Sequence, residues 1–273
     1  MALFARTRGT GAPVVLLHGS GMSSRQWRSL MVRLEAARRA VAPDLLGCGE
    51  NPPWPDDAPF RHALDVAAVT EVVLAESARA GGAPVDLVGH SYGGLLALTV
   101  ARARPDLVRT LAVYDPVAFG VLYEAEGGRA DTAEARSELA RVASTPALSD
   151  PATFGSDDWY RAFMTYWASA GVWDALPAEA RAESLRVGRK VAREVSSILS
   201  DRTPASAYAA VHAPTLLLTG ERTPLAAREV VRVLLETLPR AERVVIPGAG
   251  HAGPLSHAAL VNEALVAHLA RGA

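Results

Sequence analysis

The chain has 273 residues, 49% of them hydrophobic and 21% charged, with a formal net charge of −1. That is the balance of an ordinary soluble globular protein. It offers no global field to draw nucleic acid or an anionic membrane, and no run of about 18 apolar residues that could span one. Cys48 is the only cysteine, so no internal disulfide can form, which fits a reducing compartment. Met1 to Arg8 carries no signal-peptide pattern, and a cytoplasmic location is expected. Arginine replaces lysine everywhere except Lys190 and alanine is abundant, a composition that points to a GC-rich bacterial genome.

In chain order, Val14–Leu17 predicts a strand that runs into His18-Gly19-Ser20-Gly21. Trp27, Leu30, Met31 and Leu34 fall on one face of a helix predicted over Ser24 to Arg38. Ala40–Asp44 predicts the next strand. Leu46–Gly49 and Pro52–Pro55 are too rich in Gly and Pro for regular structure. A helix is predicted from His62 to Ala80. The apolar run Val85–Val88 then enters Gly89-His90-Ser91-Tyr92-Gly93-Gly94, and a helix follows to about Arg104. Thr110–Asp115 predicts a strand closed by Pro116. From Phe119 to about Tyr208 only helical stretches are expected, broken by Gly, Pro and Ser. Alternation resumes with a strand at Thr215–Gly220, a helix at Ala226–Thr237, a strand at Glu242–Pro247 and a last helix at Ser256–Arg271.

Strand-helix alternation predicts an α/β fold with a mostly parallel, doubly wound sheet covered on both faces. Residues 1–118 and 209–273 form the expected core. Residues 119–208 form an all-helical cap over the carboxyl edge of the sheet, where such folds bind ligands.

The chemistry concentrates on Ser91. A serine between strand and helix in Gly-x-Ser-x-Gly sits on a strained turn with its hydroxyl clear of the sheet, placed for attack on a carbonyl. Cβ atoms at positions 89, 93 or 94 would crowd the approach of strand and helix. A base must take the hydroxyl proton, and histidine suits that work near neutrality. His251, in a Gly-rich loop after the strand ending at Ile246, lies on the same rim and is the expected base. His257 is the fallback. His90 adjoins Ser91, but its side chain should leave in another direction, and His62 and His268 are expected to be solvated. For the carboxylate that orients the imidazole, Asp115 closes the strand after the Ser91 unit. Glu221 is the alternative, although a surface pairing with Arg222 or Arg228 accounts for it better; Thr223 stands where an acid would be the usual choice. Two backbone N–H groups, of Ser20 and Tyr92, are expected to face a developing oxyanion.

These motifs resemble the α/β-hydrolase superfamily over nearly the whole chain. His18-Gly19-Ser20-Gly21 matches its oxyanion loop, Asp44-Leu45-Leu46-Gly47-Cys48-Gly49 its D-x-x-G-x-G loop, Gly89–Gly93 its nucleophile elbow and Gly248–His251 its histidine loop. The order Ser91, Asp115, His251 agrees with the family's nucleophile-acid-base order. The resemblance implies that Asp115 takes the acid position used by some branches, such as haloalkane dehalogenases. Members that open halides or epoxides carry aspartate at the elbow, and Ser91 speaks against both chemistries.

In the cap, Trp159, Phe163, Tyr166 and Trp167 share one helical face. The plain account is packing of cap on core; the sharper one makes Trp159, Phe163 and Trp167 the walls of an apolar pocket over Ser91. The charged stretch Pro177–Leu199, with Lys190 and Glu194, reads as a solvated outer helix. Cys48 reads as a buried, inert thiol. Metal-ligand spacing, a phosphate loop and a dinucleotide fingerprint are all missing, so neither cofactor nor metal is expected. The expected function is a serine hydrolase of the carboxylic-ester-hydrolase kind, cleaving an ester, thioester or lactone of a small-to-medium apolar substrate. The partner is that small carbonyl compound; the oligomeric state stays open. The alternatives are an acyltransferase or cyclase of secondary metabolism using the same triad, a non-catalytic ligand-binding member of the fold, and, more weakly, a carbon–carbon bond hydrolase.

Overall fold

The structure is a computed structural model that describes residues 2–124 and 130–271. Seven strands hydrogen-bond in the order β1-β3-β2-β4-β5-β6-β7. They are β1 (Ala5–Arg8), β2 (Ala12–Leu17), β3 (Arg38–Pro43), β4 (Val85–His90), β5 (Val108–Tyr114), β6 (Thr215–Gly220) and β7 (Ala241–Ile246). β1 runs antiparallel to β3, and the remaining neighbours are parallel. The edge strand β1 was not legible in the sequence. It is four residues long, its sequence Ala-Arg-Thr-Arg has no apolar face, and it is held by backbone pairing with β3 and by ion pairs of Arg6 with Glu50 and Arg8 with Glu35.

Successive side chains of the inner strands point to opposite faces. Val15, Leu17, Leu87, Leu111, Val113 and Leu217 join a core under α2 (His62–Arg79) and α3 (Tyr92–Ala103). Val14, Leu16, Val88, Ala112, Tyr114 and Leu218 join a second core with Trp27, Leu30, Met31 and the final helix. Strands buried on both sides are why the central segments read as unbroken apolar runs.

Two helix boundaries differ from the sequence reading. The first helix is a 3-10 turn, Ser24–Trp27, then α1 (Arg28–Leu34), and Arg38 already belongs to β3. Arg38 is drawn inward because its guanidinium donates to the Leu269 carbonyl at 2.6 Å and lies 3.6 Å from buried Asp86. The last helix is interrupted at His257, between a short turn, Gly253–Ser256, and the helix Ala258–Arg271.

The predicted insertion contains helices and no strand among its described residues; residues 125–129 of it lie outside them. Its main helices are α4 (Ala130–Ala143), α5 (Asp157–Trp167) and α6 (Ala178–Ser200). α5 starts at Ser156, whose hydroxyl accepts the Trp159 N–H. Trp159, Tyr160, Trp173, Val187 and Val191 make a small core of the cap's own, with Tyr160 and Trp173 stacked at 4.8 Å. Two further helices, α7 (Leu225–Thr237) and α8 (Ala258–Arg271), complete the core domain.

Candidate active site

β4 ends at His90 and α3 begins at Tyr92, leaving Ser91 alone to turn the chain. Its backbone takes φ 54° and ψ −117°, a conformation that costs an L-residue on the order of 1–3 kcal/mol. The turn is over-determined by its surroundings. The Ser91 N–H donates to the Tyr114 carbonyl at 2.9 Å, extending the β4–β5 ladder by one rung. A Cβ on Gly93 would lie 2.4 Å from the Leu17 carbonyl oxygen, so only glycine lets α3 start against β2.

The next rung supplies the carboxylate. Asp115 N–H donates to the Leu218 carbonyl at 2.9 Å, and Asp115 also has positive φ, 43°. Being adjacent in the sheet, β4 and β5 set Ser91 and Asp115 side by side on one rim. The loop after β7 returns across the end of β6. Its passage needs Gly220, where a Cβ would sit 2.4 Å from the Ala249 carbonyl oxygen. Tyr114 Oη donates to the Gly250 carbonyl at 2.7 Å and His90 Nε2 to the His251 carbonyl at 2.9 Å.

Held this way, His251 meets both partners. The Ser91 hydroxyl lies 2.9 Å from His251 Nε2, and His251 Nδ1 lies 3.3 Å from Asp115 Oδ2. Serine hydroxyl donating to Nε2 and Nδ1–H donating to the carboxylate is the consistent tautomer. Thr223, at the position that lacks an acid, donates its hydroxyl to the same Asp115 oxygen at 2.7 Å while accepting the Gly220 N–H. Sequence reasoning treated Thr223 only as a missing acid; its polarity at a strand end was the signal available. Glu221 stays outside this group. It is exposed, and its carboxylate accepts the Gly248 N–H at 2.7 Å, a loop contact where an arginine pairing was expected.

Five of the other six histidines have partners of their own. His90 lies under His251, its ring 5.1 Å away, and burial, with the neighbouring His251, lowers its pKa to about 3. His18 donates Nδ1–H to the Gly19 carbonyl and accepts the Leu45 N–H at Nε2, tying the 18–21 loop to the Asp44 loop; burial lowers its pKa to about 4. His257 bonds its neighbour Ser256. His62 and His268 are not solvated as expected. His62 is half-buried and bonds the Ser197 hydroxyl, and His268 is buried near Glu242. Both have faces that turn out to cover the chain, which helix periodicity alone does not reveal.

Above Ser91 lies a narrow cleft, open to solvent, which Ser20 and Ser91 share with Phe119, Phe163, Trp167 and Ile198. Among the described residues no charged side chain lines it. Trp167 reaches down from α5 to stack on the His251 ring, centroids 3.7 Å apart. Phe163 and Trp167 are thus at the cleft as expected, and Trp159 is not: it is fully buried in the cap's own core against Phe163 and Tyr160. The shared helical face splits because Trp159, at the start of α5, joins the cap core that includes Val187 and Val191 of α6, and Trp167, at its end, lies over His251.

A model of the Alpha/beta hydrolase family matches residues 14–264. The chain belongs to that family. It is 36% identical over 114 residues to a 2-hydroxymuconate semialdehyde hydrolase of Pseudomonas sp. (strain CF600), covering 38% of this chain and 36% of the relative. Over 100 residues it is 39% identical to a pimeloyl-[acyl-carrier protein] methyl ester esterase of Neisseria meningitidis serogroup B, covering 37% of this chain and 34% of the relative. The match thus spans about a third of the length of either relative. Among solved structures, a thermophilic esterase from Thermogutta terrifontis superimposes with a TM-score of 0.69 at 25% identity, covering 99% of this chain and 93% of that one.

Within the alpha/beta hydrolase frame, the Asp44 loop is as expected and one helix is not. The Asp44 loop is closed by Asp44 accepting the Ser24 and Glu50 N–H groups. Cys48 in that loop is fully buried, and burial pushes its thiol up to about 12, the inert state expected. The Pro177–Leu199 stretch is not a solvated outer helix. Arg181 and Glu183 face outward, but Lys190 and Glu194 are 3% and 0% exposed and bonded to each other. Their i, i+4 spacing was visible in the sequence; the partner that calls them inward, Asp65, lies 125 residues away from Lys190. No helix among the described residues is long and apolar enough to cross a membrane.

Proposed function

We propose that the chain is a serine hydrolase cleaving an ester, thioester or lactone of a small-to-medium apolar substrate through an acyl-enzyme on Ser91. The observation that carries this reading is the unbroken hydrogen-bonded row Ser91–His251–Asp115 at the floor of an uncharged cleft. Family membership and the esterase and hydrolase relatives support it.

In this mechanism His251 Nε2 takes the proton as Ser91 Oγ bonds to the substrate carbonyl carbon. Asp115 keeps the imidazole in its tautomer and stabilises the imidazolium, and Thr223 holds Asp115 in place. The tetrahedral oxyanion receives the backbone N–H groups of Tyr92, first residue of α3, and Ser20, on the cleft wall. His251 then protonates the leaving group, deprotonates a water for deacylation and returns the proton to Ser91. Phe163 and Trp167 hold the apolar part of the substrate. The helical segment within 119–208 acts as the cap, residues 1–118 and 209–273 as the core.

Replacing Ser91 by alanine removes the bond-forming atom and is expected to lower kcat on p-nitrophenyl butyrate by ~10³-fold or more with folding intact. A fluorophosphonate should form an adduct on wild-type Ser91 and none on the variant. Wild-type-like turnover by Ser91→Ala would end the proposal. Acyl transfer to an alcohol is the second reading, favoured by the uncharged cleft and by Trp167 covering His251, both of which disfavour water. An alcohol added to the assay that captures most of the acyl group would select it.

A further inference from the structure

The side chains of Ser20 and Tyr92 lead to one buried ammonium. Lys190, the sole lysine of the chain, enters from the cap on α6. Its Nζ donates to Asp65 Oδ2 at 2.8 Å and to Glu194 Oε1, and it lies 5.4 Å over the Tyr92 ring. The Tyr92 hydroxyl donates to the same Asp65 oxygen at 2.9 Å, and Asp65 Oδ1 accepts the Leu46 N–H at 3.0 Å. On the other arm, Glu194 Oε2 is buried and makes no hydrogen bond among the described residues; burial holds this carboxyl above its usual range, and Lys190 and, least, the nearby Ser20 hydroxyl work against that shift. Val191, next to Lys190, sits where a Cβ on Gly21 would come within 3.3 Å of it, so α6 rests directly on the 18–21 loop.

Lys190, Asp65 and Glu194 are at most 3% exposed. Burial opposes the charge on Lys190, and Glu194 and Asp65 overcome it, holding the ammonium charged. Ionic groups this deep are costly, and apolar residues of similar size would pack as well. What an ion cluster adds is a single permitted register, because any shift strands a charge. Here the register is that of cap against core: Lys190 and Glu194 belong to α6, while Asp65, Tyr92 and Ser20 belong to the core.

We propose that Lys190 is a positioning residue that, seated by the cap, fixes both backbone donors of the oxyanion hole, Tyr92 through Asp65 and Ser20 through the seat of α6 on the 18–21 loop beside Glu194. The hole is then complete only when the cap is closed. This rests on the acyl-enzyme reading above. Misplacing a group by about 1 Å can cost a hundredfold in rate, and the backbone N–H groups stay in the chain whichever side chain is changed.

The test uses the full chain with Ser20→Ala, Tyr92→Phe and Lys190→Met. Each is assayed for kcat and KM on p-nitrophenyl butyrate, for inhibition by an alkyl trifluoromethyl ketone, whose adduct carries the oxyanion, and for thermal midpoint. Tyr92→Phe and Ser20→Ala should each lower kcat about tenfold and Lys190→Met about a hundredfold, with KM nearly unchanged. The inhibition constant should rise by the same factor as kcat/KM falls, whatever happens to the midpoint. A merely structural cluster would move the midpoint and leave that correlation absent. Should Lys190→Met fail to fold, the two hydroxyl deletions carry the test, since both leave the ion pair in place. If wild-type Ser91 takes a fluorophosphonate and neither hydroxyl deletion changes kcat or ketone affinity, the proposal alone falls. If wild-type Ser91 takes no adduct, the acyl-enzyme reading falls first and this one with it.

Discussion

The rim of the sheet and the cap above it hold their functional groups by different means. At the rim the backbone does the placing. Ser91 and Asp115 each sit one residue past a strand end, each fixed by one more ladder bond, and each pays for it with positive φ. In the cap the placing is done by side chains: stacked rings around Trp159, the Lys190 ion cluster, and Trp167 lying on His251. Residues placed by strand ends, Ser91 and Asp115, owe their positions to the sheet and not to what lies over them. Substrate space built from helices can be remodelled by a few substitutions.

Breaking the rim should have the largest effect. Asp115→Asn is expected to lower kcat by ~10³–10⁴-fold, since it leaves the shape but favours the wrong imidazole tautomer, with KM little changed. A loss under tenfold would remove Asp115 from the row. Breaking the cap's own aromatic core, away from the Lys190 cluster, should show in stability instead. Trp159→Ala empties a fully buried ring site and should cost ~3–5 kcal/mol. Hydrogen exchange should report that loss in α5 and α6 while the amides of β4 and β5 stay protected; uniform loss across both would erase the contrast.

A third prediction separates the two regions by pH. His18 and His90 are buried under the rim with pKa values lowered to about 4 and about 3. The unfolded chain binds these protons near pH 6.5 and the folded chain does not, so stability is complete above that value and falls as pH drops toward 4. Each histidine contributes a slope of up to about 1.4 kcal/mol per pH unit in that window. Urea melts at pH 7, 6, 5 and 4.5 should show the fall, and His90→Gln should flatten it. Equal stability at pH 7 and 4.5 would contradict it.

Smaller effects follow. Thr223→Val removes one hydrogen bond to a buried carboxylate, a contact worth about 1.5–3 kcal/mol, and should lower kcat roughly tenfold or somewhat more. Cys48 should resist a disulfide exchange reagent in the native protein and react only after unfolding, because burial keeps the thiol protonated.

Local signals account for much of what was legible beforehand. Gly89 to Gly94 announces a strand-turn-helix because only glycine tolerates that approach, and the strands β2, β4, β5 and β6 announce themselves as apolar runs because both faces are covered. Features that depend on one distant partner were illegible. β1 has no apolar pattern, and Arg38 is drawn inward by Leu269 and Asp86. Trp159 and Trp167 look alike on a helical wheel, yet one is core and the other lies on His251.

Taken alone, the amino-acid order determined the alternating elements, the position of the helical insertion and the candidates Ser91, His251 and Asp115, because strand ends and glycine turns are set by neighbours a few residues away. Only the folded chain decided that Thr223 serves Asp115, that His90 and Tyr114 anchor the His251 loop, and that Lys190 and Glu194 turn inward. The partners that decide these lie from 108 to 161 residues away. Whether a polar side chain is solvated or buried is a property of that partner, and no periodicity along the chain records it.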